Sequence, residues 1–393
     1  MYAILRIAGP LRVRLYPQGP SAPGRGRAGL GGFMVTVRRV SLSALLVAAV
    51  GITALPTTAH AAEVSAAPSA RQAPRVERVS VAADGTEANG ASGAATVTTD
   101  GGHAAFSSGA TNLTPDTAPR PQSSAHVRDG DSRAVSRIKN SLTAPDISDD
   151  GRYATYLDWG SHTTAAFVVD LTTGEKRRVD AKGFKEGSGD SVISADGRYV
   201  AYVLRPQHPA DPYRIEVYDW QTDTREAVSD GPPDAARDMA NPSISADGRY
   251  VAYEDAGTKQ VFVRDRETGG LKRADDGTAS TLVEISGNGR TVVLNSANGA
   301  YVRDLRTGKV KHFPGTSAKA VGPDGRHLLY SDDASTLRLR DLRTGRVDVV
   351  GTGSAVPGAV GAKGRTVVYS SAETDVVPGD TNGVTDVFQW SRR

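Results

Sequence analysis

The chain has 393 residues, with 38% apolar side chains, 43 glycines, a formal net charge of +3 and no cysteine. This globular, turn-rich composition excludes a disulfide scaffold, thiol catalysis, Cys-ligated zinc, iron–sulfur clusters and an N-terminal lipid-anchored cysteine. The positive charge belongs to the first 61 residues, which hold seven arginines and no acid; the rest carries 40 basic against 44 acidic residues, so no attraction for nucleic acid is expected.

Residues 1–33 are Arg/Gly/Pro-rich without periodicity and read as an over-extended, unstructured start. From Met34, MVTVRRVSLSALLVAAVGITALPTTAHAA places Arg38 and Arg39 before an apolar stretch from about Leu42 to Leu55, then small residues around Ala59-His60-Ala61. This is the pattern of a secretory signal peptide over 34–61, cleaved near Ala61. The VSLS that follows the arginine pair fits a twin-arginine signal poorly, which favours the general export route. The apolar stretch is shorter than the roughly 20 residues of a spanning helix, so a secreted protein without stable membrane insertion is expected. Residues 62–75 are Ala/Pro/Ser-rich and read as a linker, which leaves 76–393 as the folded unit.

Within that unit VTTDGGHAAF, ISDDGRYATY, ISADGRYVAY (twice), ISGNGRTVVL, VGPDGRHLLY and VGAKGRTVVY set glycines at 101, 151, 197, 248, 289, 325 and 364. Four residues before the glycine stands Val97, Ile147, Ile193, Ile244, Ile285, Val321 or Val360; five after it stands Phe106, Tyr156, Tyr202, Tyr253, Leu294, Tyr330 or Tyr369. A β-branched strand, a turn glycine and a second Val/Tyr-rich strand make a hairpin. Strings such as VVDLTTG and VRDLRTG add a third strand and a turn, where Asp129, Asp170, Asp219, Asp265, Asp304 and Asp341 can accept backbone N–H groups. A short fourth strand follows. Four strands per unit at a mean spacing of about 44 residues predict an all-β, seven-bladed β-propeller of antiparallel blades, with six blades as the alternative because the first unit is the most degenerate. The last copy has only three strands, and the N-terminal RVERVSVAA is left to complete it and close the ring.

ISADGRYVAY followed by VRDLRTG resembles the TolB-like, WD-repeat-like propeller family over about residues 76–393. The resemblance implies the fold and little about function. Related propellers serve as interaction domains of periplasmic translocation proteins, as lid domains of prolyl oligopeptidases, or as whole secreted proteins. This chain is expected to lack both the separate α/β domain of TolB and a hydrolase domain after the last blade, so neither family function carries over.

Nucleophile-elbow, zincin and phosphate-loop patterns are absent. His60, His103, His126, His162, His208, His312 and His327 are scattered without metal-like spacing and read as packed or surface residues. The repeated Asp-Gly-Arg occupies each first turn and reads as architecture. PGDTNGVTD, residues 378–386, puts Asp380, Asn382 and Asp386 in one loop like the start of a calcium site, but no distal carboxylate closes it; no metal and no cofactor is expected.

Turn glycine to third-strand Asp (or Gln389) spans 15 to 28 residues, and the long spans fall in blades one, three and seven. Such variation, confined to the face of the second-to-third-strand loops and blade connections, marks a binding surface. Lys185, Arg205, Asp238, Asp380 and Asn382 are candidate contacts there, with Asp146, Asp190, Asn241 and Glu284 expected near the start of first strands at the channel mouth. Both charge signs, many prolines and few aromatics favour an extracellular or envelope protein or peptide partner over a sugar-stacking platform. The reading is therefore a monomeric, non-enzymatic scaffold. The alternative is a propeller enzyme acting on extracellular glycan or peptide, which needs a metal or a converging carboxylate pair, such as two of Asp146, Asp190, Asp238 and Glu284 within about 10 Å.

Overall fold

A computed structural model of the chain describes residues 73–115, 124–160, 163–180, 187–206, 211–229, 238–332 and 335–392. The expected start, the signal peptide and most of the linker lie outside the described residues, as does Lys185.

The turn glycines act as the sequence demands. All seven have positive φ, from 56° to 81°, a region open to glycine and strained for other residues. Each donates its N–H to the carbonyl three residues earlier, as Gly248 does to Ser245 at 2.9 Å. Antiparallel hairpins follow on both sides. Six blades are four-stranded sheets, each wound outward in chain order from an inner strand: Ser92–Val97, Asp146–Ile147, Gly187–Ile193, Met239–Ile244, Ser280–Ile285 or Ser317–Val321. In the seventh, Arg75–Arg78 pairs antiparallel with Asp386–Ser391, Val76 opposite Trp390, and that strand pairs with Thr366–Ser371. Its innermost position is reduced to two isolated bridges, Val360 with Val367 and Ser354 with Ser370. The protein is a seven-bladed propeller whose N-terminal strand completes the last blade.

One contact repeats around the whole ring. The residue two after each turn glycine packs over the turn glycine of the next blade: His103 on Gly151, Tyr153 on Gly197, Tyr199 on Gly248, Tyr250 on Gly289, Thr291 on Gly325, His327 on Gly364 and Thr366 on Gly101. The last of these joins blade seven to blade one. The Arg of the Asp-Gly-Arg turn pairs with the third-strand Asp of its own blade in Arg152–Asp170, Arg198–Asp219, Arg249–Asp265 and Arg326–Asp341. Those Asp residues also accept N–H groups from the turn that follows, as Asp170 does from Thr172 at 2.8 Å and Thr173 at 3.1 Å.

The core lies between the blades. Phe106, Tyr156, Tyr202, Tyr253, Leu294, Tyr330 and Tyr369 are all buried, and each inter-blade cluster mixes side chains of neighbouring sheets. Burial of aromatics and β-branched residues on both sheet faces supplies the main stabilisation of this cysteine-free chain. Among the described residues, no helix is long and apolar enough to cross a membrane.

Candidate active site in the central channel

The inner strands enclose a channel of about 470 Å³ lined by residues from all seven blades. Its shape comes from bulges. Pairing between first and second strands slips after Gly93, Ser188, Ala240, Leu282 and Ala318, and a bulge re-aims side chains that the alternating pattern would place elsewhere. Asn241 sits in one such bulge with φ +51°, and Asp190 in another. Both line the channel with Asp146 and Glu284.

Asp146 and Glu284 occupy equivalent places, one residue before the Ile/Val column of blades two and five. Each reaches across to the column of the following blade: Asp146 Oδ2 accepts from Ile193 N at 2.9 Å, and Glu284 Oε2 from Val321 N at 2.7 Å. Ser243 Oγ does the same for Ile285 N at 3.0 Å. Gly358 lies between the two acids. Its N–H donates to Glu284 Oε1 at 3.0 Å, and a Cβ built on it would lie 3.9 Å from Asp146 Oδ1, so the carboxylates stand at most about 9 Å apart. Burial in the channel wall pushes Glu284 up to about 8, against the pull of the N–H groups of Val321 and Gly358 and with the help of the Asp146 charge. Burial pushes Asp146 up to about 6, opposed by the N–H groups of Ile193 and Ile147. Between these values Glu284 holds a proton while Asp146 is ionised, the division of labour that acid–base chemistry requires.

Asp146 opens its two-residue first strand, as expected, whereas Glu284 does not lie near the start of its own. Glu284 is the penultimate residue of Ser280–Ile285, and Asp146 precedes Ile147 at the end of its strand, so both sit toward the first-turn end of the channel. Asp190 and Asn241 lie farther along, where Asn241 Nδ2 donates to Glu254 Oε2 at 2.9 Å. The other candidates belong to the opposite face: Asp238 accepts from Tyr213 N at 3.3 Å, Arg205 ends its strand with its guanidinium 5.8 Å from the Tyr213 ring, and Asp380 and Asn382 lie in the loop of blade seven. That face also carries Trp159, 64% exposed, and Tyr213, 37% exposed. The expectation that it lacks a stacking surface is therefore corrected. Trp159 ends a second strand, and alternation alone gave no sign of its exposure. Gly358 and Glu254 were likewise missed, although an acid inside the Val/Tyr-rich VAYED string was a signal.

No protein-family model and no curated protein matches the sequence. Solved structures do. The chain is similar to an oligogalacturonate lyase in complex with manganese, at 13% identity and TM-score 0.57 over 81% of this chain and 93% of that one. It is similar to the β-propeller domain of the Trilobed protease from Pyrococcus furiosus, at 14% identity and TM-score 0.53 over 77% and 93%, and to TolB from Acinetobacter baumannii, at 16% and 0.43 over 68% and 76%. These likenesses agree with the seven-bladed β-propeller described above. At these identities the likeness concerns the fold alone. It nevertheless overturns the expectation of a non-enzymatic protein: structures sharing this fold include a lyase and part of a protease. The sequence alone shows no carboxylate pair, which favours the non-enzymatic reading over the enzyme alternative; in the propeller channel Asp146 and Glu284 come near each other.

Proposed function

We propose that the chain is a secreted enzyme that hydrolyses an extracellular glycan in its channel: Glu284 gives its proton to the leaving glycosidic oxygen while Asp146 takes a proton from the water that attacks the anomeric carbon. The observation that carries this reading is the approach of the two carboxylates to either side of Gly358 inside one cavity, with their proton affinities held apart. Trp159 and the Tyr213–Arg205 pair lie on the long-loop face, at the other end of the propeller from the two acids, and offer stacking surfaces to a part of the polymer remote from the cleaved bond. The described channel lining contains Asp146, Asp190 and Glu284 and no Lys, Arg or His. An acidic lining repels a polyuronate, so the substrate class is a neutral or amino-sugar glycan, unlike the substrate that the lyase's name implies. Residues 34–61 supply the export signal this role needs.

The test is turnover by the mature chain of neutral glycans, an amino-sugar glycan, a polyuronate and a protein substrate, read as new reducing ends or peptides by mass spectrometry. Release from a neutral or amino-sugar polymer is expected, with Glu284→Gln and Asp146→Asn each slower by at least about 100-fold. Glu284 and Asp146 also hold N–H groups of neighbouring blades, so circular dichroism must show each variant folded. No turnover of any glycan by the wild-type chain, or peptide cleavage alone, sinks the reading.

A further inference from the structure

A second group of ionisable side chains lies at the seam where the ring closes, away from the channel. Glu87 comes from the segment after the closing strand; Asp380 and Asp386 come from the loop and the strand of blade seven to which that strand is joined. One carboxylate oxygen from each lies within 4.8 Å of the others. Their side chains are 15%, 2% and 0% exposed.

One cation faces these three acids. Arg78 Nη1 donates to Glu87 Oε1 and, at 3.2 Å, to the Gly379 carbonyl. Its Nη2 stands 3.8 Å from Asp380 Oδ2 and its Nε 3.2 Å from Asp386 Oδ2. Neither of those oxygens accepts a hydrogen bond, and neither nitrogen donates one, although all four atoms are buried. The outer oxygens are satisfied: Asp386 Oδ1 accepts from Ser80 Oγ at 2.6 Å, and Asp380 Oδ1 from Gly383 N at 3.2 Å. Two buried carboxylate oxygens therefore face the Arg78 guanidinium without a hydrogen bond from it. Three acids against one arginine leave a formal charge of −2, which a buried site does not sustain unaided.

We propose that Glu87, Asp380 and Asp386 bind one calcium ion that locks the closure of the ring. The donors are all oxygen, which selects a hard cation. A second charge of +2 brings the group to neutrality. Magnesium keeps several waters and an octahedral shell, whereas a dehydrated site of carboxylates from two chain segments suits the larger ion. The Gly379 carbonyl and the Thr381 hydroxyl, which donates to Glu87 Oε2 at 2.6 Å, lie in the same turn as further oxygen ligands. Asn382 fixes that turn by donating to the Ala88 carbonyl at 2.6 Å. The carboxylate that PGDTNGVTD lacks is supplied by a residue 294 positions away from Thr381, which is why the string alone reads as an ordinary turn.

The mature wild-type chain, stripped with EGTA, is titrated with Ca²⁺ and separately with Mg²⁺ by calorimetry, and its thermal midpoint is followed in parallel. The expected result is one Ca²⁺ per chain, weaker Mg²⁺ binding, and a midpoint raised by about 4 °C at a hundredfold excess over Kd. Asp380→Asn and Glu87→Gln should each weaken Ca²⁺ binding at least about tenfold. Absence of both heat and midpoint shift in the wild-type chain overturns the proposal and leaves Arg78 as the sole counter-ion. Undiminished binding in both variants overturns the residue assignment. The wild-type titration decides even if a variant does not fold, and none of these readouts depends on turnover.

Discussion

Glu284 and Asp146 each serve two ends with one carboxylate: each holds the N–H of the next blade, Glu284 that of Gly358 as well, and both line the channel. Activity on the glycan should therefore be bell-shaped in pH, with limbs near 6 and 8 set by Asp146 and Glu284, and Glu284→Gln should remove whatever activity the alkaline limb governs. A pH–rate profile without these limbs counts against the pair. Both acids were visible in the sequence as departures from a column otherwise filled by Thr96, Val192, Ser243, Ala320 and Ala359. Their approach was not, because it runs past Gly358 of a distant blade. Glycine is needed differently at Gly248, where φ is +72° and the ring of Tyr199 occupies the space a Cβ would take. Gly248→Ala should cost roughly 2 to 4 kcal/mol in denaturant unfolding; a change below about 1 kcal/mol would show that the ring contact gives way.

Among elements, the hairpins were the most legible, since a β-branched strand, a glycine turn and a Val/Tyr strand each announce themselves locally. The bulges were not. They arise where a first strand must curve into the channel wall, and no pattern of alternation encodes an extra residue. The inner strand of blade seven shows the same limit: it survives as two bridges around Val360 and Ser354. On the long-loop face, Trp159 stands largely exposed at the end of its strand. Trp159→Ala should raise KM for the glycan severalfold and leave kcat nearly unchanged, because a stacking surface outside the chemistry contributes uniform binding. A fall in kcat at constant KM would place the substrate elsewhere. Deleting residues 73–81 removes the partner of Asp386–Ser391 and exposes a sheet edge; association by size-exclusion chromatography and a lower thermal midpoint are expected.

Over the whole molecule, two sets of carboxylates pull stability in opposite directions with pH. Arg249 holds Asp265 down to about 2, so its contribution is present above the ordinary carboxylate value and lost as pH falls through 2. Glu284 is raised to about 8, so its contribution is complete below its unfolded value near 4 and lost as pH rises through 8. The thermal midpoint should therefore peak in mildly acidic solution and fall toward pH 8, and Glu284→Gln should flatten the falling side. A midpoint that rises steadily to pH 8 would contradict the burial of that carboxyl. Seven copies of one motif made the ring legible as a whole, even through its most degenerate first unit. The closing strand carries one more consequence, in time. Ser80 and Asp386, bonded in the finished seam, are 306 residues apart, and at about 5 to 20 residues per second a ribosome needs roughly 15 to 60 s to make that stretch. For that interval the first strand to emerge has no mate, so each nascent molecule is open to strand exchange with its neighbours until its own last blade arrives.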